Sequence, residues 1–375
     1  MNLTPEKNCF RPFCRHGAPC FGKKFVILQS ARRQTKTEAR NKKKRMVKES
    51  WKQKGIADGP VPAGADLAAE VRRMCREKNA VILAHYYTAP DIQDVADFVG
   101  DSLALAQKAA LTDADIIVMC GVHFMAETCK ILCPDKTVLI PDLNASCSLA
   151  ESCKADEFEK FVKAHPDHTV LSYVNTSAAV KALTDVVVTS GNAREVVESF
   201  PKDEKLIFGP DRNLGNYINS VTGRSMLLWD GACHVHSRFS AEKLAALMKR
   251  HPGAKVLAHP ECKGAVLKMA DHVGSTAALL KYAQTSESNE FLVATESGIL
   301  HEMQKSCPEK RFIPVPPDDS TCACNECNFM RLNTMEKLFN CLKCLSPAVD
   351  VSLQVAEKAV RPIRRMLDIS KNAKK

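Results

Sequence analysis

A segment of 29 residues occurs three times in this chain of 375, and that recurrence restricts the possible folds more than any other feature. "VILAHYYTAPDIQDVADFVGDSLALAQKA" (81–109) returns as "TVLSYVNTSAAVKALTDVVVTSGNAREVV" (169–197) and as "KVLAHPECKGAVLKMADHVGSTAALLKYA" (255–283), without gaps. Each copy reads as a short β-rich run, an alanine-rich helical stretch, a second short strand and an amphipathic helix. A third strand, a helix and a fourth strand then follow. Such alternation implies parallel sheets covered on both faces, so the expectation is an α/β chain of three homologous αβα domains. In sheets of this kind ligands gather at the carboxyl ends of the strands. His85, Tyr173 and His259 end the first strand of each copy, and Ser102, Ser190 and Thr276 stand where the second strand turns into a helix. Free N–H groups at such a helix start can receive a carboxylate or phosphate, although each hydroxyl can equally be an ordinary N-cap. Asp97, Asp185 and Asp271 also correspond.

The net charge of +10 points to nucleic acid only until it is divided by position. Residues 1–54 carry 16 Lys and Arg against 3 acidic residues, so the rest of the chain is slightly acidic. The basic stretch has no apolar periodicity and reads as a solvated extension, which argues against nucleic acid as a partner. Met46, after the densest charge run, offers an alternative start of translation. No window approaches the length of a membrane helix, and the first thirty residues lack the apolar core of a secretory signal. The expected location is cytoplasmic.

Seventeen cysteines are spread through apparent strands and helices, a usage that favours buried thiols plus a metal or Fe–S site over disulfides. Cys75, Cys120, Cys129, Cys133 and Cys262 lie in or beside apolar segments and read as core residues. The fourth strand of every copy is followed by cysteine: Cys147, then Cys233 at the repeat distance of 86, then the group Cys322, Cys324 and Cys327. One sulfur from each of three equivalent loops suits a metal centre with an open position. A structural zinc site is closed by four ligands in local pairs, whereas Cys147 and Cys233 are solitary, so a [4Fe–4S] cluster with one open iron fits better. The competing reading is a zinc ribbon made by Cys324, Cys327, Cys341 and Cys344 in a non-catalytic protein whose basic tail contacts nucleic acid. Its spacing is short, and "MRLNTMEKLFN" between the pairs reads as a helix that would splay them.

"LAHYY", "GDSLALA", "GVHFMAETCKIL", "PDLNASCSLAESC", "YVNTSA", "VTSGNA", "FGPDRNLGNYI", "WDGACHVH", "HPEC" and "VRPIRRMLDIS" together make residues 65 to 370 resemble the quinolinate synthases, iron–sulfur enzymes of de novo NAD biosynthesis. The resemblance implies three αβα domains in a pseudo-threefold triangle around a central site, here divided as 65–150, 151–240 and 241–345. A basic extension (1–54) precedes them, and a C-terminal helix and tail (346–375) follow. It implies condensation of iminoaspartate with dihydroxyacetone phosphate to quinolinate, phosphate and water, with a link to L-aspartate oxidase. It also implies a [4Fe–4S] cluster held by Cys147, Cys233 and Cys327. Cys324 remains an alternative third ligand, because this chain departs from the C-x2-C-x2-C spacing of some members. His85, Ser102, Tyr173, Asn175, Ser190, His259, Glu261 and Thr276 match the substrate contacts. Tyr87 and Glu261 match the proton-transfer residues, with His259 as a further relay. Glu261 is expected to act as base if a dry site raises its pKa. Tyr86 is expected to pack, Glu127 and Lys130 to form a solvated or structural pair, and His234 and His236 to sit beside the cluster.

Overall fold

The structure, a computed structural model, describes residues 54–318 and 325–372. Every segment of the repeat folds as its pattern demands. The first copy forms β1 (Ala80–His85), β2 (Phe98–Gly100), β3 (Ile116–Cys120) and β4 (Thr137–Leu139). The second forms β5 (Thr169–Tyr173), β6 (Val186–Val188), β7 (Leu206–Gly209) and β8 (Leu227–Leu228). The third forms β9 (Lys255–Ala258), β10 (His272–Val273), β11 (Glu290–Ala294) and β12 (Arg311–Pro314). Three separate sheets result, with the orders β2-β1-β3-β4, β6-β5-β7-β8 and β10-β9-β11-β12. All their pairings are parallel. Central strands such as β3, IIVMC, are buried throughout, as strands covered on both faces must be. The fold is therefore the expected one: three αβα units of one design.

The repeated aspartates explain part of that regularity. Asp97 Oδ2 accepts the Ile82 N–H at 2.7 Å, Asp185 Oδ2 that of Val170 at 2.8 Å, and Asp271 Oδ2 that of Val256 at 2.8 Å. Each backbone N–H of these aspartates also returns to the carbonyl of the same strand residue. One side chain thus clamps the entry of the second strand onto the first, three times over. Gln93 and Lys181, also equivalent, hold the loops beyond β1 and β5 by donating to two backbone carbonyls each, at Tyr86 and Thr88 and at Val174 and Thr176. Lys181 is fully buried, and burial pulls its pKa down to about 8.

Helices open on residues that can satisfy their first N–H groups. Asp66, Asp101, Asp211, Ser240, Ser275 and Thr334 all cap in this way. The second repeat has short helices at Ala178–Lys181 and Ala193–Glu198, and the C-terminal helix Leu353–Asn372 packs over them and over β6. Contacts run between every pair of repeats. Glu127 Oε2 accepts the Ala178 N–H, Asn213 Nδ2 donates to the Glu261 carbonyl, and Gln93 Nε2 donates to the Gly298 carbonyl. The three units close a ring.

Two expectations change in detail. The segment after Cys327 is a short turn, Met330–Leu332, and the helix begins later and runs from Met335 to Cys344. Cys341 on that helix is fully buried and its thiol points at the Ile140 carbonyl, so it cannot serve a zinc ribbon. Glu127 and Lys130 are both structural but not partners, since Lys130 Nζ donates to the carbonyls of Pro134 and Lys136. Tyr86 packs, half-buried, as expected. Replacing Asp97 with alanine leaves the Ile82 N–H unpaired, and urea denaturation should show a loss of about 1–2 kcal/mol.

Candidate active site

The carboxyl ends of all three sheets face one cavity, and its walls are built from the same three positions of each repeat. His85, Tyr173 and His259 end or follow the first strands. Two residues further on stand Tyr87, Asn175 and Glu261, which are also repeat-equivalent. Ser102, Ser190 and Thr276 line it from the turns after the second strands. In the first and third repeats those hydroxyls are not the helix caps. Asp101 and Ser275, one residue earlier, accept the Ala104 and Ala278 N–H groups, which leaves Ser102 and Thr276 at the first helical position.

Side chains from different repeats meet directly. The Tyr173 hydroxyl donates to Glu261 Oε1 at 2.5 Å, and the Tyr87 hydroxyl lies 2.6 Å from Thr276 Oγ1 and 2.7 Å from Thr295 Oγ1. His236 joins this network: Nδ1 is 2.9 Å from Glu261 Oε2 and Nε2 is 3.0 Å from Thr295 Oγ1. Its ring stacks on that of His259, with centroids 4.4 Å apart.

Cys147, Cys233 and Cys327 enter the same cavity, one from each repeat, and none is in a disulfide. Each heads a helical turn of the same form. The carbonyls of the three cysteines accept the N–H four residues on, from Glu151, Ser237 and Arg331. Their sulfurs face the N–H three residues on, from Ala150, His236 and Met330. Cys327 therefore repeats the local geometry of Cys147 and Cys233 although its loop is longer. Side chains approach as well: Asn175 Nδ2 lies 3.9 Å from Cys147 Sγ and His236 Nδ1 3.3 Å from Cys233 Sγ. Cys322 and Cys324, and the three cysteines of the basic extension, lie outside the described residues.

Comparison with known proteins settles the family. The model of the family described as "Quinolinate synthetase A protein" matches residues 69–368. The chain is 57% identical over 305 residues to the quinolinate synthase of Nostoc sp., covering 81% of this chain and 94% of that one. It is 56% identical over 306 residues to that of Chloroherpeton thalassium (82% and 95%), and 55% identical over 309 residues to that of Thermosynechococcus vestitus (82% and 97%).

The chain belongs to the quinolinate synthase family. It is accordingly an enzyme of NAD biosynthesis. Among the described residues no helix is long and apolar enough to cross a membrane.

For a quinolinate synthase the charge balance of this cavity is instructive. Among the described residues, none that lines it is Lys or Arg. Burial pulls His85 and His259 down to about 3, so both rings are neutral at pH 7. Each Nδ1 accepts the N–H two residues on, from Tyr87 at 3.2 Å and from Glu261 at 3.4 Å, which leaves the ring proton on Nε2. Burial raises the phenols of Tyr87 and Tyr173 well above their usual range, so both keep their protons. Glu261 departs from the expectation that dryness would raise it. Burial does oppose its charge, but His236 and the Tyr173 hydroxyl, both hydrogen-bonded to it, outweigh that penalty and hold it below the ordinary range.

Two carboxyl groups escaped the sequence reading. Asp211 and Glu296 are buried beside the cavity, and burial pushes each up to about 7. Each follows the end of its third strand by two residues, β7 at Gly209 and β11 at Ala294. That shared offset was the available signal. Val122 at the same place in the first repeat hides it, because it breaks the pattern. His234 also differs from His236 in its bonding, for it pairs with Ser148 at 2.6 Å and not with a thiol.

His85 and His259 generate a pH prediction. Their folded pKa values lie below the unfolded value of about 6.5, so the unfolded chain binds more protons between the two and their stabilising contribution is lost as pH falls. Removing one of these rings should therefore help at low pH: as pH falls from about 6.5 towards about 3, the unfolding midpoint of cluster-free His85→Gln should rise relative to that of the cluster-free parent.

Proposed function

We propose that this enzyme condenses iminoaspartate with dihydroxyacetone phosphate to form quinolinate, phosphate and water, with a [4Fe–4S] cluster held by Cys147, Cys233 and Cys327. The observation that carries the reading is the single cavity to which each repeat delivers one thiol and three polar side chains at equivalent positions. The donor set fits the cluster: three unpaired thiols in a mostly buried setting, each facing backbone N–H groups, suit a soft iron–sulfur centre better than a closed zinc site. When bound, such a cluster supplies one iron without a protein ligand, a Lewis acid for an oxygen of the substrate.

The remaining chemistry falls to the side chains. Ser102, Ser190 and Thr276, with the N–H groups at the helix starts and Nε2 of His85 and His259, hold carboxylate and phosphate without a basic residue. Neutral donors bind anions reversibly and leave room for a carboxylate base among them. Tyr173 and Asn175 complete the contacts from the second repeat. Glu261, ionised and oriented by Tyr173 and His236, takes the proton released when the enamine carbon attacks. Tyr87, which keeps its proton beside Thr276 and Thr295, donates during the shift from ketose to aldehyde. His259 relays between them. Ring closure and loss of water follow in the same enclosed space. The domain limits we assign are 65–150, 151–240 and 241–345, the location is cytoplasmic, and L-aspartate oxidase is the functional neighbour that would supply iminoaspartate.

Protein purified without oxygen should contain iron and sulfide and form quinolinate from the two substrates. Cys147→Ala, Cys233→Ala and Cys327→Ala should each lose the cluster; zinc without sulfide, or a cluster that survives all three, would overturn the proposal. Glu261→Gln should keep the cluster and lower kcat by about 10²–10⁴. Burial raises Cys147 up to about 12, Cys327 up to about 11, and Cys233 well above its ordinary value. Loading must therefore displace protons, and reconstitution of the apoprotein should weaken as pH falls, measured as bound iron and sulfide against pH.

A further inference from the structure

The two buried carboxylates outside the substrate network share one arrangement. Asp211 Oδ1 accepts the Leu214 N–H at 2.8 Å and so starts the helix after β7, while Oδ2 accepts the Cys233 N–H at 2.9 Å. Glu296 Oε2 accepts the Gly298 N–H at 2.7 Å and so shapes the turn after β11, while Oε1 accepts the Cys327 N–H at 3.0 Å. In both repeats, then, an acid at the end of the third strand spans to the loop beyond the fourth strand and holds the backbone of its cavity cysteine. The surroundings are built for that closeness. A Cβ on Gly231 would lie 2.5 Å from the Pro210 carbonyl, and one on Gly298 would lie 2.7 Å from the Tyr86 carbonyl and 2.8 Å from Tyr87 Cα. Glu296 thereby ties the Cys327 loop to the loop that carries Tyr87. Arg331 lies 3.2 Å from Glu296 Oε1, whereas no basic residue bonds to Asp211 among the described residues.

The first repeat makes the case by contrast. Val122 occupies the equivalent place, and its side chain can accept nothing. There the cysteine loop is held from within: Asp142 Oδ1 accepts the Asn144 N–H at 2.8 Å, Oδ2 accepts Lys337 Nζ at 2.6 Å, and the His123 N–H donates to the Ala145 carbonyl at 2.7 Å. Each of the three loops has a carboxylate anchor, supplied in two ways.

We propose that Asp211 and Glu296 are positioning residues that set Cys233 and Cys327 in the geometry the cluster requires. This inference rests on the cluster assignment made above. Both oxygens of each acid already accept N–H groups, so an amide in its place must turn its own N–H₂ toward one of those donors and push the loop away. Loss of such a partner behind a metal ligand typically costs about 10- to 100-fold in metal affinity.

The test uses anaerobically purified holoprotein. In Asp211→Asn and Glu296→Gln, iron release to a chelator should be about tenfold faster than in the parent, and the EPR spectrum of the reduced cluster should shift. Asp185→Asn, which removes a fold clamp at the amino-terminal end of β5, should change neither. Asp211→Glu and Glu296→Asp keep the charge and displace it by one methylene; they decide the matter, with the same expectation, should an amide variant fail to fold. Release and spectrum like the parent's in the Asp211 or Glu296 variants, or an equal change in Asp185→Asn, would overturn the inference. A parent protein without iron and sulfide would instead overturn the cluster assignment beneath it.

Discussion

Parallel hydrogen bonding is the constraint on which the rest of this molecule depends. Strands that run the same way deliver all their outgoing loops to one edge, so each sheet has a single edge where chemistry can be placed. Three such sheets arranged with those edges together make one cavity from nine equivalent positions and three cysteine loops. Neither half of the network can form within one repeat. Glu261 takes its proton donor, Tyr173, from the second unit, and Tyr87 of the first finds both its partners, Thr276 and Thr295, in the third. Assembly of the ring and completion of the site are one event.

Within that frame the repeats have diverged by chemistry while keeping their scaffolding. The clamp made by Asp97, Asp185 and Asp271 is identical in all three copies, because it serves the strand and not the ligand. The position two residues past the first strand holds a phenol, an amide and a carboxylate in turn: Tyr87, Asn175 and Glu261. Threefold structure thus yields an asymmetric cavity, as the proposed reaction between two different substrates requires. The absence of Lys and Arg from the lining among the described residues, with neutral His85 and His259 presenting N–H donors, fits the proposed binding and release of anions beside a metal centre.

Much of this was legible beforehand. The gapless repeat located the first two strands of each copy, and the segments that follow it the other two, because period and spacing survive divergence when the core must be refilled three times. His85, Tyr173, His259, Ser102, Ser190 and Thr276 could be picked out by their register, and Cys147 and Cys233 by their separation. Other features were hidden for stated reasons. Asp211 and Glu296 differ in side-chain length and are interrupted by Val122 in the first copy. The protonation of Glu261 depends on His236, which approaches from the second repeat's cysteine loop and has no counterpart in the motif that contains Glu261. Cys327 stands off the repeat spacing, and its likeness to the other two cysteines lies in the backbone turn that follows it.

What the sequence determined by itself was the unit: strands from short β-rich runs, the helices that alternate with them, and the register that puts a polar residue at each strand end. Those are local properties, read within one copy and checked against the next. What only the tertiary structure decided was how the copies face one another, and with it every interaction that makes the cavity reactive. Which phenol bonds to which carboxylate, which imidazole loses its charge through burial, and which acid holds a cysteine loop are all matters of distances across the ring. A linear pattern carries no information about those distances until the three edges meet.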